Sequence, residues 1–435
     1  MKKFLALILA LVMALSLVAC GEKKDDTKTE GGDTATGSVY YLNFKPESDN
    51  AWKALAATYT EKTGVPVKIL TAASGEYEST LVSEMDKEDA PTLFQCNEGG
   101  VATWGEFCYD LSSSDVYNQL TSKDYALKNA DGEVISIGYC LETYGIIVNK
   151  ALLKEAGYEV TDITNFESLK KIADDIHSRA AELGFDAFTS AGLDGTSSWR
   201  FSGHLANMPL FYEFRDEGVT SKPATIKGTY LDNYKAIWDL YITDSATTGA
   251  ALLSATGDQA EAEFGEGKAV FYQNGTWEFS NLTSAEKFGM NADDLAMIPI
   301  YCGVDGEEKA GLCCGTENCW AVNKNASEAD IKATLDFMNW VVTSDAGTTM
   351  LAEQFGPCPF KNAKTPANVF FAQANEYVAN GNYTVTWAFN WTPAVDDWRA
   401  AVVDALSQYT TGNGSWDNVK TAFVEGWATQ YAAEH

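Results

Sequence analysis

Histidine is almost absent from this chain, and positive charge is scarce. The three histidines are His177, His204 and His435, set against nine cysteines. Adjacent Cys313-Cys314 with so few histidines fits no tetrahedral zinc spacing, so neither a metal nor another cofactor is expected. The 31 basic residues face 61 acidic ones, for a net charge of −30. Such a chain repels phosphate, which excludes nucleic acid and a bare anionic membrane surface as partners. There is no Gly-x-Ser-x-Gly and no His-Glu-x-x-His, the patterns that would mark a serine or zinc hydrolase. Beyond residue 20 no apolar run approaches the ~20 residues a membrane-spanning helix needs.

What the chain does have begins at its first residues. Lys2 and Lys3 give a positive start, and residues 4–18 are apolar apart from Ser16. That stretch is too short and too poorly flanked to span a membrane, so residues 1–19 read as a signal peptide. It ends Leu17-Val18-Ala19-Cys20-Gly21. This resembles the bacterial lipobox, in which small residues precede a cysteine that receives lipid and becomes the mature N-terminus. Ordinary secretory cleavage near Ala19 is the alternative. Two or more acyl chains turn weak membrane contact into stable anchoring. Residues 20–38 then read as the lipidated cysteine and a tether: Gly, Thr, Asp and Lys dominate, and nothing large and apolar is available to bury.

Eight cysteines remain: Cys96, Cys108, Cys140, Cys302, Cys313, Cys314, Cys319 and Cys358. An even number outside the cytoplasm permits disulfides, although eight cysteines allow 105 full pairings; disulfides or buried free thiols are both expected above a metal. The chain carries 12 Trp and 20 Tyr. Most should fill the core, and a few in loops would suit stacking on sugar faces.

The body opens with an apolar run over residues 39–44, read as a strand, and a loop over residues 45–50. A helix follows in which Trp52, Leu55, Ala56 and Tyr59 share a face. Gly64 stops it, residues 65–70 form a second strand, residues 76–87 a helix, and residues 92–96 a third strand. Alternating strands and helices predict a parallel sheet with helices on its faces. Ligands bind at the carboxyl ends of such strands, here the loops over residues 45–50 and 97–100. Farther on, Phe166, Leu169, Ile172, Ala173 and Ile176 mark an amphipathic helix. Ser327 and Asp330 form a capping pair for another, with Ile331, Leu335, Met338 and Val342 as its buried stripe. From Val395 the chain reads as two helices broken at residues 410–414.

Several segments then fall into a recognisable order. Tyr144-Gly145-Ile146-Ile147-Val148-Asn149-Lys150-Ala151-Leu152-Leu153 is followed by Gly267-Lys268-Ala269 and Gly275-Thr276-Trp277. After these come Glu317-Asn318-Cys319-Trp320-Ala321-Val322 and Gly356-Pro357-Cys358-Pro359. Together with the lipobox they resemble the extracellular solute-binding proteins of carbohydrate ABC importers, the maltose-binding-protein-like family 1. The resemblance implies an α/β, periplasmic-binding-protein-like fold of two lobes joined by a hinge around an interlobe cleft. Lobe I is expected over residues 39–141 plus 318–358, and lobe II over residues 142–317 plus 359–435.

The same resemblance implies the binding residues. Glu47 and Asp49 occupy the first loop, Asn97 and Glu98 follow the third strand, and Glu142 and Glu317 stand at the hinge. Trp199 and Arg200 lie on an aromatic wall of the second lobe. Trp277 is the best stacking candidate, with Trp387, Trp391 and Trp398 as further aromatic contacts. Rings pack on the C–H faces of a sugar, while acidic, amide and Arg side chains hold its hydroxyls. Trp238, Trp340 and Trp427 are assigned to the core. Gln95 stands where maltose-binding protein has a stacking Trp, which predicts a ligand or pose different from maltose.

The implied function is a non-enzymatic, monomeric receptor on the outer face of the cytoplasmic membrane of a Gram-positive cell. It would hand an oligosaccharide to ABC permease subunits. A lipid-anchored glycoside hydrolase with paired carboxylates, or a same-fold receptor for a non-sugar solute, are the alternatives.

Overall fold

The computed structural model of the protein describes residues 37–434. The signal peptide, Cys20 and most of the proposed tether lie outside the described residues. The tether's last residue is inside them: Ser38 donates through its backbone N and its Oγ to Asp330 Oδ1, at 2.7 and 3.0 Å. The chain thus enters the body at the start of the helix Glu328–Thr343.

Twelve strands order the described residues: β1 (Val39–Asn43), β2 (Val67–Thr71), β3 (Leu93–Gln95), β4 (Ala126–Lys128), β5 (Val134–Gly138), β6 (Glu142–Asn149), β7 (Asp186–Phe188), β8 (Ala269–Gly275), β9 (Leu295–Ile298), β10 (Ala310–Gly315), β11 (Cys319–Val322) and β12 (Tyr383–Thr386). They make two sheets. The first runs β2-β1-β3-β11-β5-β4, and the second β12-β10-β6-β8-β7, with β9 also paired to β6. The chain passes between the sheets from β5 to β6 and back from β10 to β11. It leaves the first sheet's side again after the helix Asp345–Gln354, which packs on Asp49–Thr63, and reaches Val369–Ala379, which packs on β9 and β10.

The expectation of a parallel sheet holds for the opening segment, and elsewhere parallel pairing is found between β7 and β8 and between β10 and β12. β1 pairs in parallel with β2 and β3, but β11 runs antiparallel to β3 and β5, and β6 antiparallel to β8, β9 and β10. The physical reason is connectivity. A helix between strands returns the chain in the same direction, whereas the direct links β5–β6 and β10–β11 leave no crossover.

Helices form where the apolar spacing placed them. In Asp49–Thr63 the buried residues are Trp52, Leu55, Ala56 and Tyr59, and Gly64 caps it at φ 76°, a left-handed conformation a side chain would disfavour. Ser327 Oγ accepts from Asp330 N and donates to Asp330 Oδ2. Of the expected stripe Met338 and Val342 are in the core, joined there by Phe337 and Val341, while Ile331 and Leu335 sit at its edge. Two helices and the strands β1 and β11 contact this one, so the covered face is wider than one stripe.

Aromatic packing supplies much of the core. Trp52 is fully buried, edge-on to Tyr41 at 5.0 Å and to Trp320 at 6.0 Å, and Tyr139 stacks on Trp320 at 4.3 Å. Trp238 and Trp427 are likewise fully buried, and Trp340 half-buries against the same core as Trp52. Among the described residues no helix is long and apolar enough to cross a membrane. The eight cysteines are all free thiols, six of them buried. Burial pushes the thiols of Cys140, Cys302 and Cys313 well above the ordinary thiol range, which keeps them protonated and unreactive.

Candidate functional site

A cavity of about 970 Å³ lies between the strand ends of the two sheets, within the range of ligand sites. The first sheet contributes the loops after β1, β2 and β3. The second contributes residues 196–204, the helix Gly257–Gly265 and the end of β8. Across its mouth Ser74 Oγ donates to Thr196 O at 3.3 Å, so the two walls touch.

At the floor Lys45 reaches Glu142. Its Nζ is 2.8 Å from Glu142 Oε1 and 3.9 Å from Glu47, with only 12% and 4% of the Lys45 and Glu142 side chains exposed. Glu142 Oε2 accepts from Asn318 Nδ2 at 2.6 Å, and Asn318 Oδ1 from Tyr139 OH. One network therefore joins the β1 loop, the start of β6 and the β10–β11 link. Burial by itself would lower the Lys45 ammonium, but Glu142 and Glu47 outweigh it and hold it above the usual lysine range. Burial raises Glu47 and Glu317, partly offset by Lys45 and, for Glu317, by Arg399.

The second wall is aromatic. The indole of Trp277 lies flat over Gly275, where a Cβ would meet ring carbons at 2.2–2.6 Å. The other neighbours of that indole are Trp199 at 6.1 Å, His204 at 5.4 Å and the Lys45 ammonium at 4.9 Å. Residues Arg200–Leu205 form a π-helical stretch, wholly buried, a local geometry that recurs at functional sites. It carries Arg200, which donates to Gln273 O and Ser190 O, and His204, which stacks on Tyr144 at 3.8 Å. Burial, then the nearby Arg399, Lys45 and Arg200, drives His204 well below the ordinary histidine range. It is therefore a neutral ring, sharing a hydrogen bond between its Nδ1 and Gln273 Nε2.

Four polar atoms on cavity-lining residues are buried without a protein partner: Arg200 Nε, Arg399 Nε, Trp387 Nε1 and Glu278 Oε2. Buried polar atoms are normally paired, and here three donors and one carboxyl oxygen without a protein partner belong to residues around one cavity. Burial, and then Glu261 and Glu47, raise Glu278 to about 8. The carboxyl thus holds its proton between its ordinary value of 4.5 and about 8, while the unfolded chain releases it. Stability supplied by that group is present below the unfolded value and lost as pH rises through the window. Urea midpoints of the ligand-free protein are expected to fall from pH 5 to pH 8, and Glu278→Gln to flatten part of that slope.

The cavity brings together Glu47, Asn97, Glu142, Trp199, Arg200, Trp277, Glu317 and Trp387, with Gln95 beside them. It does not include the other four expected contacts. Asp49 turns away, accepting from Thr71 Oγ1 and pairing with Lys53 on its own helix. Trp398 is 1% exposed and donates to Phe423 O, which makes it core. Glu98 and Trp391 line a separate cavity, and Trp387 borders both. Lys45, His204, Glu278 and Arg399 were missed. Glu278 and Arg399 each directly follow an expected Trp, and Lys45 opens the 45–50 loop expected to meet ligand; burial of His204 has no sequence signature.

Residues 396–399 are set by a strained turn. Ala394, at φ 37°, is the sole non-glycine residue with positive φ among the described residues. Its N–H donates to Glu434 Oε1, and Glu434 Oε2 pairs with Lys222 at 3.0 Å. Ala394→Gly is expected to relieve the strain and stabilise by roughly 1 kcal/mol in thermal unfolding.

Residues 54–375 match the family of bacterial extracellular solute-binding proteins. The maltodextrin-binding protein MdxE of Bacillus subtilis (strain 168) is 23% identical over 346 residues, 76% of this chain and 75% of that one. A maltooligosaccharide ABC transporter solute-binding lipoprotein of Streptococcus pneumoniae serotype 4 is 22% identical over 404 residues, 89% of this chain and 85% of that one. Among solved structures, the solute-binding protein RafE in complex with raffinose superposes with a TM-score of 0.70 at 16% identity, covering 89% of this chain and 99% of the other.

Proposed function

This chain belongs to the bacterial extracellular solute-binding proteins, and on that premise we propose that it is a lipid-anchored receptor. It captures an oligosaccharide between two lobes and delivers it to an ABC permease. The observation that carries this reading is the 970 Å³ cavity, which sets the faces of Trp199 and Trp277 against polar atoms with no protein partner. Sugar C–H faces satisfy the rings, and hydroxyls satisfy the donors and acceptors. The names of the two sequence relatives, both binders of glucose oligomers, support the same ligand class.

Lobe I takes residues 39–141 plus 318–358, and lobe II residues 142–317 plus 359–435. Closure is favoured by ligand because only the closed arrangement lets both walls touch it. The receptor turns over nothing: incubation with oligosaccharides is expected to leave them intact. The lipid on Cys20 and the tether keep the monomer near its permease by raising local concentration. Cys20→Ala is expected to move the protein from the membrane fraction to the culture medium; retention at the membrane would remove the anchor.

The binding reading is tested by a thermal-shift screen against malto-oligosaccharides, raffinose-type galactosides, and xylan and mannan fragments. A true ligand at 100 times its Kd is expected to stabilise by about 2.7 kcal/mol. No shift with any glycan would defeat it.

A further inference from the structure

The second cavity encloses about 440 Å³ and draws on both sheets: Tyr125 and Leu127 from the side of β4, and Phe214 from the helix Asn207–Glu217. It is divided from the first by three short segments whose residues alternate between the two spaces. Glu98 faces the second while Asn97 and Gly99 face the first; Thr316 and Glu317 divide likewise, as do Asn390 and Phe389. Trp387 borders both, and its indole N–H is buried without a partner. Trp391, half-buried, stacks on Phe214 at 5.7 Å and 28°.

We propose that this second cavity is a separate saccharide site, taking a short neutral sugar on the indole of Trp391. The inference rests on the saccharide reading of the first cavity, whose ligand class it extends. Three features of the lining favour a neutral sugar. A broad ring pair, Trp391 on Phe214, supplies a platform for a C–H face. Glu98 and Asn390 stand beside it as hydroxyl partners, Asn390 Nδ2 being engaged with Thr316 O at 3.3 Å and its side-chain oxygen being the free acceptor type. An anionic sugar meets Glu98 and Asp124, while the guanidinium of Arg215 is already held by Asp216 at 2.9 Å and by the faces of Tyr212 and Tyr383. A purely apolar ligand would leave that polar rim unpaired. Because elements of both sheets line the site, its occupant favours the arrangement of lobes that forms it, and so couples to the first.

The test is isothermal titration of the full chain with maltotriose and with raffinose, on wild type, Trp391→Ala, Trp391→Phe and Trp277→Ala. For the sugar that binds, two events per chain are expected. Trp391→Ala should weaken the second at least tenfold while leaving the first within about twofold to threefold, the residue of their coupling. Trp391→Phe should keep most of the second, and Trp277→Ala should weaken the first. One event per chain, or a second event untouched by Trp391→Ala, overturns the second site and leaves the receptor reading standing. No heat from either sugar, with none of the wider glycan panel binding, defeats both.

Discussion

Lys45→Met is expected to cost about 3–5 kcal/mol of stability, the scale for removing one partner of a buried ion pair. The loss comes chiefly from Glu142, whose side chain is 4% exposed and whose Oε1 would lose its 2.8 Å partner. Asn318 would still donate to Oε2, but a single amide does not neutralise a buried charge. Glu47, 3.9 Å from the same ammonium, would lose its nearest cation as well. The double variant Lys45→Met/Glu142→Gln is expected to recover most of the loss, because it removes the most deeply buried carboxylate and leaves only Glu47, whose side chain is 29% exposed, without its cation. Chemical denaturation of the wild type, both single variants and the double variant closes the cycle. A coupling below about 0.5 kcal/mol would show that the pair does not hold the β1 loop to the hinge.

Trp277→Ala should weaken saccharide binding by about 1–3 kcal/mol, the range for a packed aromatic anchor at a binding site. The ring's position makes this a question of binding more than of folding: one face lies on Gly275 and the residue is only partly buried. Gly275→Ala offers a second view of the same contact. The new methyl would stand 2.2 Å from the indole, so the ring must move off its place while remaining in the chain. Calorimetry is expected to give comparable losses for both variants, whereas a ring that serves only as filler would leave affinity unchanged.

How far the sequence spoke depends on the kind of signal. Local periodicity placed Trp52, Leu55, Ala56 and Tyr59 on one buried face, and Gly64 ended that helix with its positive φ. Patterns of that kind depend only on near neighbours in the chain. Strand direction does not. The antiparallel pairing of β11 with β3 joins residues more than two hundred positions apart, and nothing in either segment announces it.

The site divides in the same way. Trp277 was legible because it sits in a segment whose order along the chain resembles a family, and Trp199 and Arg200 because that resemblance implies an aromatic wall there. Trp398 shows where that inference fails: the tryptophan sits on the inner face of Val395–Thr410, donating to Phe423 O, while the next residue, Arg399, is the one at the cavity. On a helix one position turns a side chain by about 100°, so a motif match that is one residue off selects the core in place of the ligand. Asp49 failed for a different reason. It opens a helix, and its carboxylate is already committed to Thr71 and Lys53. The π-helical stretch that buries Arg200 and His204 together has no pattern a reading of helical spacing would find.

The central claim is that the 970 Å³ cavity recognises a saccharide through its aromatic wall and its unpartnered polar atoms. Titration calorimetry of a neutral oligosaccharide into wild type, Trp277→Ala and Glu278→Gln tests it most directly. The account predicts saturable binding to the wild type and a weakening of at least fivefold in Trp277→Ala, with a smaller loss in Glu278→Gln. Saturable binding that neither substitution disturbs would contradict it.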